Sequence, residues 1–242
     1  MQEAYIVAGF RTAVTKSKKG GFRFMRSDEL AIEVIKGLMK TLPSVDPKLV
    51  DDVIVGNAVP EAEQGLQFGR IIAAKALGIE VPGITINRYC ASGLESIAMA
   101  TAKIRTGMAD CIIAGGTESM SMVPTAGWKT VPAYSIAKDE PDYYLSMGLT
   151  AEAVANEYNV SREDQDAFAF ASHQKAMAAQ AAGEFNSEIF PVKVAHRSMN
   201  LDKGQVDVQW REFLKDEGPR VDTSLEGLAK LKSPFAARGS VT

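Results

Sequence analysis

Cysteine is scarce in this chain, with two, Cys90 and Cys111, among 242 residues. Two cysteines cannot build a disulfide framework, and their surroundings show no metal-ligand spacing, so no metal site is expected. A reducing, cytoplasmic compartment is the expected setting. No run is long and apolar enough to span a bilayer. The opening Met1-Gln2-Glu3-Ala4-Tyr5 lacks the basic flank and apolar stretch of a signal peptide. Neither sign of charge dominates: 27 basic against 30 acidic residues leave a net charge of −3, which gives no nucleic-acid footprint. The basic cluster Lys16, Lys18, Lys19, Arg23 and Arg26, interleaved with Gly20 and Gly21, reads as a solvated loop rather than a phosphate site. What remains is an ordinary globular composition, 46% hydrophobic and 24% charged, long enough to bury a core without staples.

The first 120 residues alternate short apolar runs with amphipathic stretches. Tyr5–Phe10, Asp52–Gly56, Gly83–Asn87 and Cys111–Gly116 read as strands. Residues 28–41 read as a helix with Asp28 as N-cap and Leu30, Val34, Ile35, Leu38 and Leu42 along one face. Residues 65–77 and 91–106 read as two more helices, the second with Leu94, Ile97, Thr101 and Ile104 at helical spacing. This alternation predicts a layered α/β fold. Gly115-Gly116 has no glycine three residues on, so a dinucleotide-binding fingerprint is absent.

Cys90 stands out because it sits where a strand passes into a helix. Amide N–H groups of a first helical turn favour an anion, which stabilises a thiolate and makes it a better nucleophile. Ala91, Ser92 and Gly93 are small enough to let a thioester carbonyl approach. The competing reading is a buried structural cysteine. Against it, Cys90 follows Asn-Arg-Tyr and precedes Ala-Ser-Gly rather than lying within an apolar run. Cys111 does lie within such a run, and core packing is its expected role.

The pattern changes after Gly116. Residues 117–147, rich in Met, Thr, Ser, Pro and Tyr, read as irregular chain, either a cover over a site or a surface excursion. Thr150–Tyr158 reads as a helix. Ser161 caps a longer, Ala-rich helix that Gly183 stops at residue 182. Residues 184–238 read as mixed and polar. His173 and His196 are expected to be solvated or locally bonded.

Several long motifs, in order, resemble the thiolase family. Asn87-Arg88-Tyr89-Cys90-Ala91-Ser92-Gly93-Leu94-Glu95-Ser96-Ile97 is similar to its acyl-cysteine signature. Ile6–Ala13, Val55-Gly56-Asn57, Gln67-Phe68-Gly69-Arg70 and Ala114–Ser121 fit its core. Met147–Glu152 and Ser161–Asp166 fit its loop domain. The resemblance implies an α/β, thiolase-like layered fold, the first of two similar halves with an inserted, mainly helical loop domain. The expected division is 1–120 as the core, 121–238 as the loop domain and 239–242 as the return to the core. The second half, with the family's catalytic histidine, second catalytic cysteine and oxyanion-hole asparagine, is absent. The chain is therefore expected to be a fragment that does not complete thiolysis alone.

The activity implied is acyl transfer in fatty acid metabolism. A 3-ketoacyl-CoA is cleaved by CoA, or acyl-CoAs are condensed, through an acyl-cysteine on Cys90. No cofactor is implied, since CoA is itself a substrate. Met147 corresponds to a pantetheine contact, with Ser146 standing where some thiolases have histidine. Arg220, in Gly218-Pro219-Arg220-Val221-Asp222, corresponds to a contact of the CoA nucleotide, or is an exposed arginine without a ligand role. The implied partners are acyl-CoA and CoA. The family implies a homodimer or tetramer, no nucleic acid and no membrane span. Apolar surface left without the second half is expected to make the chain self-associate or dissolve poorly. Two alternatives stay open: a decarboxylating condensing enzyme of the same superfamily, and a non-catalytic acyl-CoA or lipid-carrier-type binding protein.

Overall fold

The computed structural model describes residues 2–200, 202 and 204–242. The chain divides into two compact units, Met1–Lys129 with Asn186–Gly218, and Thr130–Phe185 with Pro219–Thr242.

In the first unit a three-stranded parallel sheet runs β2-β1-β3, with β1 (Asp52–Gly56) between β2 (Gly83–Ile86) and β3 (Ile112–Gly116). The register pairs Ile54 with both Ile84 and Ala114. Each parallel step is made through a helix, α2 (Phe68–Ala76) and then α3 (Ser92–Arg105), as parallel pairing requires. Val53, Val55 and Ile113 pack with Phe68, Ile72 and Ala73 of α2 and with Ile32 and Ile35 of α1 (Ser27–Thr41) in the main core. Side chains alternate across a strand, so Ile54 belongs to the opposite face, together with the α-carbons of Gly56 and Gly116. That face carries α3.

A second apolar cluster joins Phe22, Leu30 and Val192, with Phe190 and Phe213 packed against it. It anchors a β-hairpin, β4 (Val192–Asn200) and β5 (Gln205–Phe213), paired antiparallel over nine residues each. The Phe22 and Phe213 rings meet edge to face at 5.3 Å. Segment 186–218, expected within the loop domain, thus clusters with the first unit because its apolar ends pack against residues 22–30.

The second unit contains α4 (Tyr134–Asp139), α5 (Met147–Glu157), α6 (Arg162–Ala182) and α7 (Leu225–Ala229). Ser161 accepts a hydrogen bond from the Asp164 amide and Gly183 ends α6 in the left-handed conformation, as the sequence predicts. Arg162 pairs with Asp166 at 2.9 Å and also donates to the Leu228 carbonyl, which fastens α7 to α6. Near the end of the chain, Glu152 accepts from the Ser240 and Val241 amides, each at 3.0 Å. These bonds hold its carboxyl below the usual carboxylate range.

Four expectations are corrected. Tyr5–Phe10 forms no strand: it has no ladder partner among the described residues, and Tyr5, Ile6 and Val7 are exposed. Asp28 does not cap α1. It lies inside the first turn, buried, and pairs with Arg26, the residue at the cap position. The helix expected from residue 65 begins at Phe68, because Leu66 and Gln67 are left-handed at φ 55° and 58°. Residues 134–144, read as irregular, hold α4 and a short 3-10 turn at Pro141–Tyr144.

Candidate active site

Gly56 and Gly116 end their strands beneath the first turn of α3. A methyl group on Gly56 would lie 2.5 Å from the Ser92 carbonyl carbon and 2.8 Å from the Gly93 nitrogen. One on Gly116 would lie 3.4 Å from the Gly93 α-carbon. The helix therefore rests on the end of β1 backbone to backbone, and only hydrogen at Gly56 permits it, whereas the Gly116 position touches the helix at ordinary contact distance. At such a distance the helix can turn only small residues toward the sheet. Ser92, Ser96 and Ala100 are the buried residues of α3, whereas Leu94 is 72% exposed and Ile97 41%. Leu94 and Ile97, which mark the helical spacing in the sequence, therefore lie off the packed face. The Ser96 hydroxyl lies 2.6 Å from the Gly93 carbonyl of its own helix and 3.0 Å from the Gly115 carbonyl, so its one proton is shared between α3 and β3.

The turn that delivers Cys90 is held from both sides. Tyr89 has φ 47°, in the left-handed region that a non-glycine residue enters only when its neighbours enforce it. Asn87 Oδ1 accepts from the Tyr89 amide at 2.8 Å, while Asn87 Nδ2 donates to the Ala58 carbonyl at 3.0 Å. Ser92 Oγ accepts from the Arg88 amide at 2.8 Å and donates to the Tyr89 carbonyl at 2.6 Å. Arg88 and Glu95 form an ion pair at 2.9 Å along the outside of the turn. Cys90 emerges exposed.

The first-turn amides are only partly as expected. Those of Ala91 and Ser92 bond back to the Arg88 and Tyr89 carbonyls, at 3.1 and 3.0 Å. Those of Gly93 and Leu94 have no backbone acceptor among the described residues and are the groups an incoming oxyanion can use.

A buried polar cluster ties the neighbouring strand ends together. Gln64 Nε2 donates to Glu118 Oε1 at 2.6 Å, and Gln64 Oε1 accepts from Ser27 Oγ at 3.0 Å and the Ser119 amide at 2.7 Å. Glu118 Oε2 accepts from the Ala58 amide at 2.7 Å, and Asn57 Nδ2 donates to the Thr117 carbonyl at 2.9 Å. A shallow pocket of about 240 Å³ next to this cluster is lined by Pro60, Gln64, Gln67, Thr85 and Asn87, among others. The motifs point to Asn57 and Glu118. The roles of Ser92 and Ser96 are missed, although their spacing of four beside Gly93 and the strand-end glycines is the available signal.

The other cysteine behaves differently. Cys111 is half-buried and packs against the main core. Burial, aided by the nearby Asp51 carboxylate, pushes its thiol above the ordinary value. Met147 opens α5 and is 72% exposed, and Arg220 is exposed in the segment before α7; both lie in the second unit. His173 is locally bonded, accepting at Nδ1 from the Arg220 amide at 3.2 Å. His196 stands opposite Gln209 in the hairpin ladder.

The chain thus presents an exposed cysteine at a strand-to-helix turn, over glycine strand ends of a layered α/β unit. Residues 4–242 match the thiolase N-terminal domain, and the chain belongs to that family. It is 48% identical over 243 residues to the 3-ketoacyl-CoA thiolase of Bacillus subtilis (strain 168). That alignment covers all of this chain and 62% of the relative. It is 41% identical to a beta-ketoadipyl-CoA thiolase of Acinetobacter baylyi, again over its whole length and 62% of that protein. Among solved structures, the Bacillus anthracis acetyl-CoA acetyltransferase superposes with a TM-score of 0.83 at 30% identity, covering 100% of this chain and 61% of that one. The chain thus spans about three-fifths of the length of these relatives. A peroxisomal 3-ketoacyl-CoA thiolase of Candida tropicalis is also similar, at 36% identity. Among the described residues no helix is long and apolar enough to cross a membrane.

Proposed function

We propose that this chain supplies the acyl-accepting half of a thiolase active site, with Cys90 as the nucleophile. The carrying observation is the turn itself: a strained, doubly clamped Tyr89 that leaves Cys90 exposed above amides of α3. The thiolate of Cys90 attacks the ketone carbonyl of a 3-ketoacyl-CoA. The bond between the α- and β-carbons breaks, the acyl group stays on sulfur as a thioester, and the enolate of the shorter acyl-CoA takes up a proton. Free CoA thiolate then displaces Cys90 and carries off the acyl group, so CoA acts as substrate rather than cofactor. The base and acid for these proton transfers come from the part of the thiolase fold that the chain does not span.

Met147 and Arg220 are our proposed CoA contacts, the first apolar and adaptable toward pantetheine, the second toward phosphate or adenine. The proposed setting is a cytoplasmic homo-oligomer acting in fatty acid metabolism. Intact mass after incubation with acetyl-CoA or acetoacetyl-CoA tests the reading, with Cys90→Ala and Cys111→Ala alongside. An acetyl adduct lost only in Cys90→Ala supports it. An adduct formed only when the second thiolase half is supplied places the base there. No adduct under either condition replaces it with a non-catalytic acyl-CoA binder.

A further inference from the structure

The second unit holds a contact that the proposed chemistry does not use. Segment 219–223, Pro219-Arg220-Val221-Asp222-Thr223, joins no helix or strand, and Val221 is 81% exposed. Among the described residues it makes one hydrogen bond, from the Arg220 amide to Nδ1 of His173 at 3.2 Å. His173 belongs to the packed face of α6. Arg162, Asp166, Ala169 and His173 fall within about 60° of one another around a helix that turns about 100° per residue. All four are buried or half-buried, whereas Glu163, Ala167, Phe168 and Ser172 are exposed. Arg162 and His173 are separated by about three turns, roughly 16 Å along the axis. Arg162 donates to the Leu228 and Leu231 carbonyls and so holds α7. Ser224, which caps α7, accepts from the Gly227 amide. One face of α6 therefore holds the chain on both sides of Ser224, with Arg162 bonded after it and His173 before it.

We propose that His173 is a positioning residue for Arg220: by accepting the Arg220 amide it fixes the backbone from which the arginine side chain reaches the nucleotide of CoA. The inference rests on the reading of Arg220 as a CoA contact and is independent of the role assigned to Cys90. Binding through an arginine orders a long side chain, and on an irregular segment it must order the carrying backbone as well. A backbone held before the ligand arrives removes the second of these costs. Histidine suits the place. Its acceptor is two bonds from Cβ on a stiff ring, so the bond it makes sets the height of the Arg220 backbone above α6. The bond also sets the state of the ring, because a neutral imidazole that accepts at Nδ1 carries its proton on Nε2.

Calorimetric titration of the 242-residue chain with CoA, and with adenosine bisphosphate as its nucleotide end alone, tests it. Arg220→Ala is expected to weaken both ligands about tenfold or more, as loss of a charged hydrogen-bond donor does. His173→Phe keeps a ring without an acceptor and is expected to weaken both about three- to tenfold. His173→Asn returns an acceptor two bonds from Cβ and is expected to stay within about twofold of wild type. Because His173 acts through Arg220, the double variant His173→Phe, Arg220→Ala is expected to bind no more weakly than Arg220→Ala alone. A general structural role for His173 would instead make the two losses add. An Arg220→Ala chain that binds like wild type, or a wild-type chain that binds neither ligand, overturns the CoA reading of Arg220 and this inference with it. If Arg220→Ala weakens binding and His173→Phe does not, the CoA reading stands and the role of His173 falls. His173→Asn as weak as His173→Phe, or additive losses in the double variant, also overturns that role. A last measurement needs no variant. In the imidazole nitrogen resonances of the wild-type chain at neutral pH, the proton of His173 is expected on Nε2, and a proton on Nδ1 overturns the proposal.

Discussion

The two faces of the β2-β1-β3 sheet are covered in opposite ways. On one, Phe68 and Ile72, both fully buried, fill the space between α2 and the strands with large side chains. On the other, α3 approaches until Gly56 and Gly116 lie under its backbone, with Ser92, Ser96 and Ala100 at the contact. Large side chains make the first face the main source of hydrophobic stabilisation. The second face contributes less apolar burial and fixes position instead. A helix resting backbone to backbone on a strand end has little room to slide, and the residue it must hold steady is Cys90. One face holds the unit together and the other positions the Cys90 turn.

Substitutions on the two faces should separate these roles. Phe68→Ala is the largest expected effect: truncating a fully buried phenylalanine costs about 3–5 kcal/mol in a chemical denaturation midpoint. Its native-state rate of Cys90 alkylation by iodoacetamide should stay near wild type, since the glycine contact under α3 is untouched. Gly56→Ala reverses the pattern. The added methyl meets backbone at 2.5 Å, which forces the start of α3 outward at a cost of about 1–3 kcal/mol. Here the alkylation rate of Cys90 should change severalfold although less stability is lost. Equal alkylation rates in Gly56→Ala and wild type would refute the positioning role of this face. Ser96→Ala is milder still, removing the hydroxyl shared between the Gly93 and Gly115 carbonyls for about 1 kcal/mol, with a correspondingly smaller change at Cys90.

The sequence was informative to different degrees on the two faces. Val53-Ile54-Val55 and Ile112-Ile113 announce buried strands, and their predicted boundaries lie within a residue of those observed. The spacing of Leu94 and Ile97 announces the helix α3 but not its packed face, because apolar periodicity marks the packed side of a helix only when the packing distance admits large side chains. Gly56 at the end of β1, far from α3 in sequence, sets that distance. The Cys90 turn was legible as a motif, but its mechanics were not: Tyr89 is left-handed because Asn87 and Ser92 clamp it, and no local propensity encodes that. The β4–β5 hairpin was available and overlooked. Val206-Asp207-Val208-Gln209-Trp210-Arg211 alternates with period two, the mark of a half-exposed strand. Tyr5–Phe10 shows the converse, a strand-like run left unpaired because the period of a strand does not supply its neighbour.

The smallest expected effect concerns how the hairpin and the opening segment are joined, which depends on charge where the sheet depends on packing. Arg11 donates to both oxygens of Asp216, at 2.8 and 3.0 Å, and Asp216 also accepts from the Val14 amide at 2.7 Å. The arginine bonds first, then the Val14 amide, lower the Asp216 carboxyl below its ordinary 3.8, against the opposing effect of partial burial. A carboxyl lowered by folding stabilises the fold above its unfolded value, and that contribution disappears as pH falls through the folded one. Arg11, raised chiefly by the same contact, stays charged throughout. The pair is partly exposed, so its contribution is a few tenths to about 1 kcal/mol. Acidification below about pH 4 should therefore lower the protection of the amides of Val14 and Phe190, measured against their intrinsic exchange rates at the same pH, before it affects Val53 or Ile54; the Phe190 amide bonds the Arg11 carbonyl. Asp216→Asn should produce the same loosening at neutral pH and remove its acid dependence. If the Val14 and Phe190 amides keep their protection in Asp216→Asn, the ion pair is not what joins these segments. The joint would then rest on the Arg11–Glu188 pair, on the Glu217 bonds to the Lys16 and Gly21 amides, and on the packing of Phe22, Val192 and Phe213.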